Sequence, residues 1–151
     1  MKKLFLILML CPMMMLVSSC TGNADKGTGN LSQETLLDQE IAASNAQMPI
    51  QMDNATTLLS LSRDGEVVTY EYLLDENEVD FAQFVEDKAQ YSNKLRNQIT
   101  LLSTTEPSMH AFMSLLKETG KSLCYRYKGN SSGMVVTIEF SNDELQEMIK
   151  D

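Results

Sequence analysis

Residues that commonly act in catalysis or bind metal ions are scarce in this chain. It has no tryptophan, a single histidine at position 110 and three cysteines, at positions 11, 20 and 124. One histidine rules out a zinc site built from several histidines, and the cysteines form no cluster. The sequence contains no glycine-rich phosphate loop, no Gly-x-Ser-x-Gly turn and no His-Glu-x-x-His motif. We therefore expect no cofactor, no metal and no catalytic residue, and hence a protein that is not an enzyme.

Basic residues are the second shortage. The 12 lysines and arginines stand against 21 aspartates and glutamates, which gives a formal net charge of −9. Recognition of phosphates depends on clustered lysines and arginines, so nucleic acid is not an expected partner. A basic protein or a cation is compatible with this charge, although surplus acid usually forms a solvated surface.

The N-terminus holds the one long apolar run. Two lysines at positions 2 and 3 precede it, it covers residues 4–17, and two small serines follow it directly before Cys20. This order is typical of a secretory signal. The run of about 14 residues is shorter than the ~20 that a membrane-spanning helix needs. The stretch Leu16-Val17-Ser18-Ser19-Cys20 resembles the lipobox of bacterial lipoproteins.

The resemblance implies cleavage before Cys20 and acylation of its sulfur, so that lipid holds the protein at a membrane of the cell envelope. Thr21 stands where an aspartate would retain such a lipoprotein in the inner membrane, and the usual sorting rule therefore implies the outer membrane. We expect a signal peptide at 1–19, the lipidated cysteine and a flexible tether at 20–30, and a single domain at 31–151.

Cleavage would change the composition of the remaining chain. The loss of two lysines leaves 10 basic against 21 acidic residues, a formal charge of −11. Cys124 is then the only cysteine of the domain, so an internal disulfide is excluded. About 130 residues are enough for one domain with a useful core.

Capping and turn signals divide the domain into helices and hairpins. Ser32 is expected to cap a first helix that ends by about Met48, ahead of a proline. The pair Asp64-Gly65 predicts a two-residue hairpin turn. Asp80 is expected to cap one long helix that continues to about residue 102. Its predicted inward stripe comprises Phe81, Phe84, Val85, Lys88, Ser92, Leu95, Ile99 and Leu102.

The second half repeats this order. Pro107 suits the first turn of a helix that Gly120 stops. A second hairpin has its loop at 129–133, and the capping box Ser141 and Glu144 begins a last helix. The second strand of this hairpin is expected to point four side chains inward: Met134, Val136, Ile138 and Phe140.

Two segments match closely at an offset of 68 residues. They are Val67-Val68-Thr69-Tyr70-Glu71-Tyr72 and Val135-Val136-Thr137-Ile138-Glu139-Phe140. Each is the second strand of a hairpin and precedes a capped helix. We therefore predict an α+β fold with a four-stranded antiparallel sheet from two hairpins, packed against helices, and an internal duplication of a helix–strand–strand–helix unit. Independent choice of β-branched residues for two strands would also give this match.

Tyrosines are the main candidates for contact with a ligand. They form two Tyr-x-Tyr pairs on the hairpins: Tyr70, Tyr72, Tyr125 and Tyr127. Under the helices these rings would be core residues, and this interpretation is favoured because the helices need an apolar surface to cover. On an open face they would stack on a carbohydrate or anchor a protein partner. The two hairpins, each followed by a helix, resemble small envelope lipoproteins of gut Gram-negative bacteria, which supply no known site.

Other constellations are weaker. Nothing in the sequence aligns Cys124 with His110, and a lone cysteine in a strand is usually a small packing residue. The acidic turn at 75–80 lacks the glycine of a calcium loop, so a solvated turn is favoured. Glu71 and Glu139 occupy matching repeat positions, where a carboxylate pair would imply an enzyme.

The sequence thus favours a lipid-anchored, extracytoplasmic binding module that is not an enzyme. A small inhibitor of a secreted hydrolase is the first alternative, because a charge of −11 would complement a basic enzyme. An envelope enzyme that uses two carboxylates is the second.

Overall fold

A computed structural model describes residues 32–149. The expected signal peptide, lipidated Cys20 and tether lie outside the described residues, as do residues 31, 150 and 151. The elements are α1 (Gln33–Asn45), β1 (Ile50–Gln51), β2 (Thr56–Asp64), β3 (Val67–Leu74), α2 (Phe81–Glu86), α3 (Lys88–Thr105), α4 (Pro107–Glu118), β4 (Ser122–Gly129), β5 (Val135–Phe140) and α5 (Asn142–Met148).

The strands form one mixed sheet in the order β1-β2-β3-β4-β5. The α+β class is confirmed, but the prediction of four antiparallel strands is wrong in two respects. The two-residue strand β1 adds a fifth member beside β2. The two hairpins join through β3 and β4, which run parallel, with Val67 beside Ser122 and Leu74 beside Gly129.

The connection between β3 and β4 explains the parallel pair. Short turns fix the antiparallel pairing within each hairpin, but residues 75–121 with three helices separate the hairpins and return the chain to the starting end of β3. The second hairpin is therefore reversed end for end relative to the first. If the second unit were a rotated copy of the first, its helices would lie on the opposite face of the sheet. The helices of residues 32–149 instead all cover one face, so the arrangement in space does not follow the predicted duplication. The match at an offset of 68 residues is one of sequence and of element order.

Alternate residues of the strands build the core beneath the helices. Val68 in β3, Leu123 in β4 and Phe140 in β5 are each 1% exposed or less. They lie in one cross-strand row. The helices supply the other layer, with Leu37, Leu95, Ile99, Met113 and Leu116 almost completely buried. On α4 the buried residues are Met109, Phe112, Met113 and Leu116.

The predicted long helix is two helices. Asp87, between α2 and α3, does not have helical backbone angles. The buried positions of α3 therefore do not continue the periodic pattern of α2. Tyr91, which the periodic pattern omitted, is buried against Phe84 at a ring-centroid distance of 4.9 Å. Val85 and Lys88 are exposed and Ser92 is only partly buried, which corrects the predicted stripe at these three positions.

Two further local predictions need correction. The hairpin turn consists of Gly65 and Glu66, with φ of +57° at the glycine, because Asp64 already pairs with Val67. Met134 precedes β5 and is 45% exposed, so it does not point into the core.

The predicted helix caps are confirmed. Ser32 and Asp80 accept the backbone N–H groups of Thr35 and Gln83 through their side chains. Ser141 and Glu144 form the predicted capping box of α5.

Charged groups tie α1 to the sheet. Lys121 is 4% exposed, and its ammonium lies 2.9 Å from Glu34 and 3.1 Å from Glu66. Arg63 also contacts Glu34, and its second nitrogen lies 3.0 Å from Asp38. The hydrogen bond to Glu34 raises the pKa of Lys121, and the same bond lowers the pKa of Glu34. This network fixes the helix that begins the domain.

Among residues 32–149, none of the helices combines the length and the apolar character that a membrane crossing requires.

Candidate interaction surface

No element of residues 32–149 covers the face of the sheet opposite the helices. Its side chains on β3, β4 and β5 form three cross-strand rows: Thr69, Cys124 and Glu139; Glu71, Arg126 and Thr137; Leu73, Lys128 and Val135. We call these nine residues the open face. Five of them are exposed, namely Arg126, Lys128, Val135, Thr137 and Glu139. The face therefore offers polar, charged and β-branched side chains from three adjacent strands.

Opposite charges alternate across this face. Glu71 and Arg126 are direct cross-strand neighbours, and Glu139 neighbours Cys124 on the other side of β4. A non-obligate protein interface is about as polar as the rest of a protein surface, so this composition is compatible with one. The open face is thus suited to a polar protein surface.

Cys124 is the one member of the open face that is buried, at 7% exposure. Burial and then the negative charge of Glu139 raise the pKa of its thiol. The reactive form of a cysteine is the thiolate, so burial and a raised pKa lower the reactivity of this sulfur. Cys124 is therefore a packing residue of the sheet.

His110 is not brought to Cys124. It lies on α4, on the helical side of the sheet, where its Nδ1 is 3.1 Å from the carbonyl oxygen of Ser103. The sheet separates the two side chains, because Cys124 points to the open face. Within residues 32–149 there is therefore no cysteine–histidine pair for nucleophilic catalysis.

Glu71 and Glu139 share the open face but are not neighbours. The register places them two strands apart and two residues out of line, which corresponds to roughly 12 Å between their Cα atoms. Arg126 lies between them on β4. This arrangement gives no support to a pair of cooperating carboxylates.

The four tyrosines lie on the opposite, covered face. Tyr70, Tyr72, Tyr125 and Tyr127 are all 8% exposed or less. Tyr125 stacks on Tyr70 at 5.4 Å, and Tyr72 stacks on Tyr127 at 5.0 Å between ring centroids. These rings are core residues and are not accessible to a partner in this structure.

The other aromatic residues are equally inaccessible. Each of the nine tyrosines and phenylalanines within residues 32–149 is buried. Stacking on a sugar needs an exposed ring, so the described part of the chain offers no aromatic platform for a carbohydrate.

The acidic turn after β3 makes structural contacts. Asp75 Oδ1 accepts hydrogen bonds from the Asn77 backbone at 3.0 Å and from the Asn130 amide at 3.2 Å. Glu76 Oε2 accepts the backbone N–H groups of Ser131 and Ser132, both at 2.6 Å. The bonds from Ser132 lower the pKa of Glu76. No group of three or more metal-binding side chains occurs between residues 32 and 149.

Sequence reasoning missed this contact between loops, and it missed Lys121. Glu76 contacts Ser131 only because β3 and β4 are parallel, so that the loops that follow them lie at the same end of the strands. Hydrophobic periodicity does not predict the burial of a lysine that directly precedes a strand. The sequence of α1 contains Glu34, Asp38 and Glu40 and no basic residue, and this was the one feature that indicated a basic residue packed against it.

Comparison with known proteins finds solved structures that are similar to this chain. No family model matches the chain, and none of the curated proteins is similar to it. PA3611 of Pseudomonas aeruginosa, described as a candidate secreted protein, superposes with a TM-score of 0.59 at 9% identity, over 76% of this chain and 93% of its own.

Two pilotins of type 2 secretion systems also match. EpsS of Vibrio vulnificus has a TM-score of 0.47 at 8% identity, over 76% of this chain and 92% of its own. AspS of Vibrio cholerae has a TM-score of 0.48 at 11% identity, over 74% of this chain and 91% of its own. Both scores lie below 0.5, and the likeness to PA3611 is one of fold alone.

Proposed function

We propose that this chain is a bacterial lipoprotein, anchored through acyl chains on Cys20, whose domain acts outside the cytoplasm as a protein-binding module without enzymatic activity. The observation that carries the binding role is the open face: three adjacent strands present charged and β-branched side chains, and no helix among residues 32–149 covers them. The address rests on the stretch Leu16–Cys20 and is compatible with the shared fold of PA3611.

A protein is favoured over a carbohydrate as the partner. The aromatic rings that sugars stack on are buried, whereas the exposed groups of the open face are the basic Arg126 and Lys128 beside the acidic Glu139. Alternating charges give specificity and orientation to a protein contact. The contact would be a reversible one, because the face has no large apolar centre.

Site-specific photo-crosslinking in intact cells tests the binding role. A photoreactive amino acid replaces Arg126 on the open face or, as the control, Lys94, which is exposed on α3 of the helical layer. We expect a discrete adduct with a second protein from position 126 and none from position 94.

Charge reversal shows whether the adduct depends on the face. Glu71→Lys changes the neighbour of position 126 and should abolish the adduct, while Glu118→Lys on α4 should leave it intact. Equal adducts from both faces would contradict the proposal. So would a hydrolase or transferase activity of the pure protein that one substitution removes.

A further inference from the structure

The two edges of the sheet are finished differently. At the β2 edge, β1 pairs with Thr57 and Leu58. Further along, the side chain of Asn45 accepts the N–H of Leu61 at 2.8 Å and donates to its carbonyl oxygen. A strand and a side-chain amide thus occupy backbone groups that would otherwise be open to pairing.

At the β5 edge, no strand or side chain of residues 32–149 provides such cover. The Gly129 N–H donates to the Met134 carbonyl at 2.9 Å, which sets the phase of the antiparallel ladder. Val135, Thr137 and Glu139 consequently direct their N–H and C=O groups away from β4. Within residues 32–149 no side chain or loop bonds to these outward groups.

Natural proteins usually protect an exposed edge. They use lysine or proline in the strand, a bulge, or a covering element. The β5 sequence Val-Val-Thr-Ile-Glu-Phe has neither lysine nor proline, and its register with β4 is regular. Two of the exposed large apolar residues, Met134 and Val135, at 45% and 42%, lie together at its start.

We propose that β5 pairs antiparallel with β5 of a second copy of the chain, about a two-fold axis at Thr137. Thr137 then lies opposite Thr137 of the second copy, and Val135 lies opposite Glu139. This register uses the outward groups of all three residues. A register with Glu139 opposite itself would place like charges together, which is unfavourable.

Charge complementarity supports this register. Lys128 neighbours Val135 across β4 and β5, so it lies in one row with Glu139 of the second copy. The two Cα atoms would be roughly 10 Å apart, two strand spacings, which a lysine and a glutamate side chain together span. The symmetry axis generates a second, identical pair.

Val135, at the start of β5, gains a contact in the same register, because it would lie beside the aliphatic part of Glu139 of the second copy. The sheet would extend to ten strands with one continuous open face. The inference does not depend on the proposed function, because a monomer would still present its own open face.

Chemical cross-linking tests the pairing in the intact lipidated protein. Residues opposed in a hydrogen-bonded antiparallel pair have Cα atoms about 5.5 Å apart, so a short cross-linker with two thiol-reactive ends joins cysteines at the two positions. In a Cys124→Ser background, Thr137→Cys should give a covalent dimer of the chain with such a cross-linker. Thr69→Cys, on the same face but two strands inward, should not. No dimer from position 137, or equal dimer from position 69, would overturn the proposal.

Charge exchange tests the register independently. Lys128→Glu and Glu139→Lys should each lower the yield of the Thr137→Cys dimer, and the double variant should restore it. A double variant that folds, by its circular dichroism, but does not recover the dimer would overturn the proposed register.

Discussion

Glu76 Oε2 lies 2.6 Å from the backbone nitrogen of Ser132, and it accepts the Ser131 N–H at the same distance. Leu74 and Gly129 end the parallel strands side by side, so the turn after β3 meets the loop after β4. A carboxylate that accepts two backbone N–H groups holds these two loops together. This contact joins segments 55 residues apart and stabilises the junction of the two hairpins.

Glu76→Gln should reduce the acid sensitivity of the fold. The bonds from Ser132 hold the pKa of Glu76 below its usual value in the folded state. A group with a lowered folded pKa stabilises the fold above its unfolded pKa, and that contribution disappears as the pH falls through the folded pKa. Between neutral pH and about pH 3, the melting temperature of wild type should therefore fall more than that of Glu76→Gln.

Glu78→Gln is the matched control for that experiment. Glu78 is exposed in the same turn, and its side chain forms no hydrogen bond or ion pair within residues 32–149. In Glu78→Gln, the fall in melting temperature between neutral and acidic pH should be the same as in wild type. An equal change from both variants would mean that Glu76 has no special role.

Gly129→Ala should destabilise the same junction. A Cβ atom at Gly129 would lie 2.7 Å from Cδ of Glu76 and 2.9 Å from Oγ of Ser132, so the carboxylate has to move. Thermal unfolding of a double-mutant cycle measures the coupling. We expect Gly129→Ala to lower the melting temperature of the wild-type protein, and to lower that of the Glu76→Ala variant by less. An identical decrease in melting temperature in both backgrounds would show that position 129 and the Glu76 carboxylate are not coupled.

Tyr125→Phe should be neutral or stabilising. The Tyr125 hydroxyl is buried, and no group within residues 32–149 forms a hydrogen bond with it. Burial raises its pKa well above the ordinary value, so it stays neutral. Removing a buried hydroxyl without a partner abolishes a desolvation cost of about 1–3 kcal/mol.

Urea unfolding provides the measurement for Tyr125. The free energy of unfolding should stay equal or rise in Tyr125→Phe, whereas Tyr125→Ala should lose about 3–5 kcal/mol with its ring contacts. A loss above about 1 kcal/mol in the phenylalanine variant would show that the hydroxyl has a partner.

Local signals predicted most of the elements, because caps and turns depend on neighbouring residues. Ser32, Asp80 and the pair Ser141 and Glu144 begin helices as expected. The parallel pairing of β3 and β4 was not predictable in this way. It depends on how three helices return the chain across the sheet, and short-range patterns carry no information on that path.

The candidate surface was the harder prediction. Periodicity grouped the tyrosines correctly on one face, but only the packed helices decide that this face is the covered one. The open face contains Arg126 and Lys128, which look like ordinary strand residues in the sequence. Their proximity to Glu139 follows from the predicted second hairpin. Their proximity to Glu71 follows from the parallel pairing of β3 and β4, which the sequence did not specify.

Metabolic labelling with a radioactive fatty acid tests the central claim, a lipid-anchored protein facing away from the cytoplasm. The full-length chain should incorporate label and sediment with the envelope membranes, and the Cys11→Ser control should behave identically. Cys20→Ser should lose both the label and the membrane association. Label that persists in Cys20→Ser, or an unlabelled and fully soluble wild-type protein, would contradict the account.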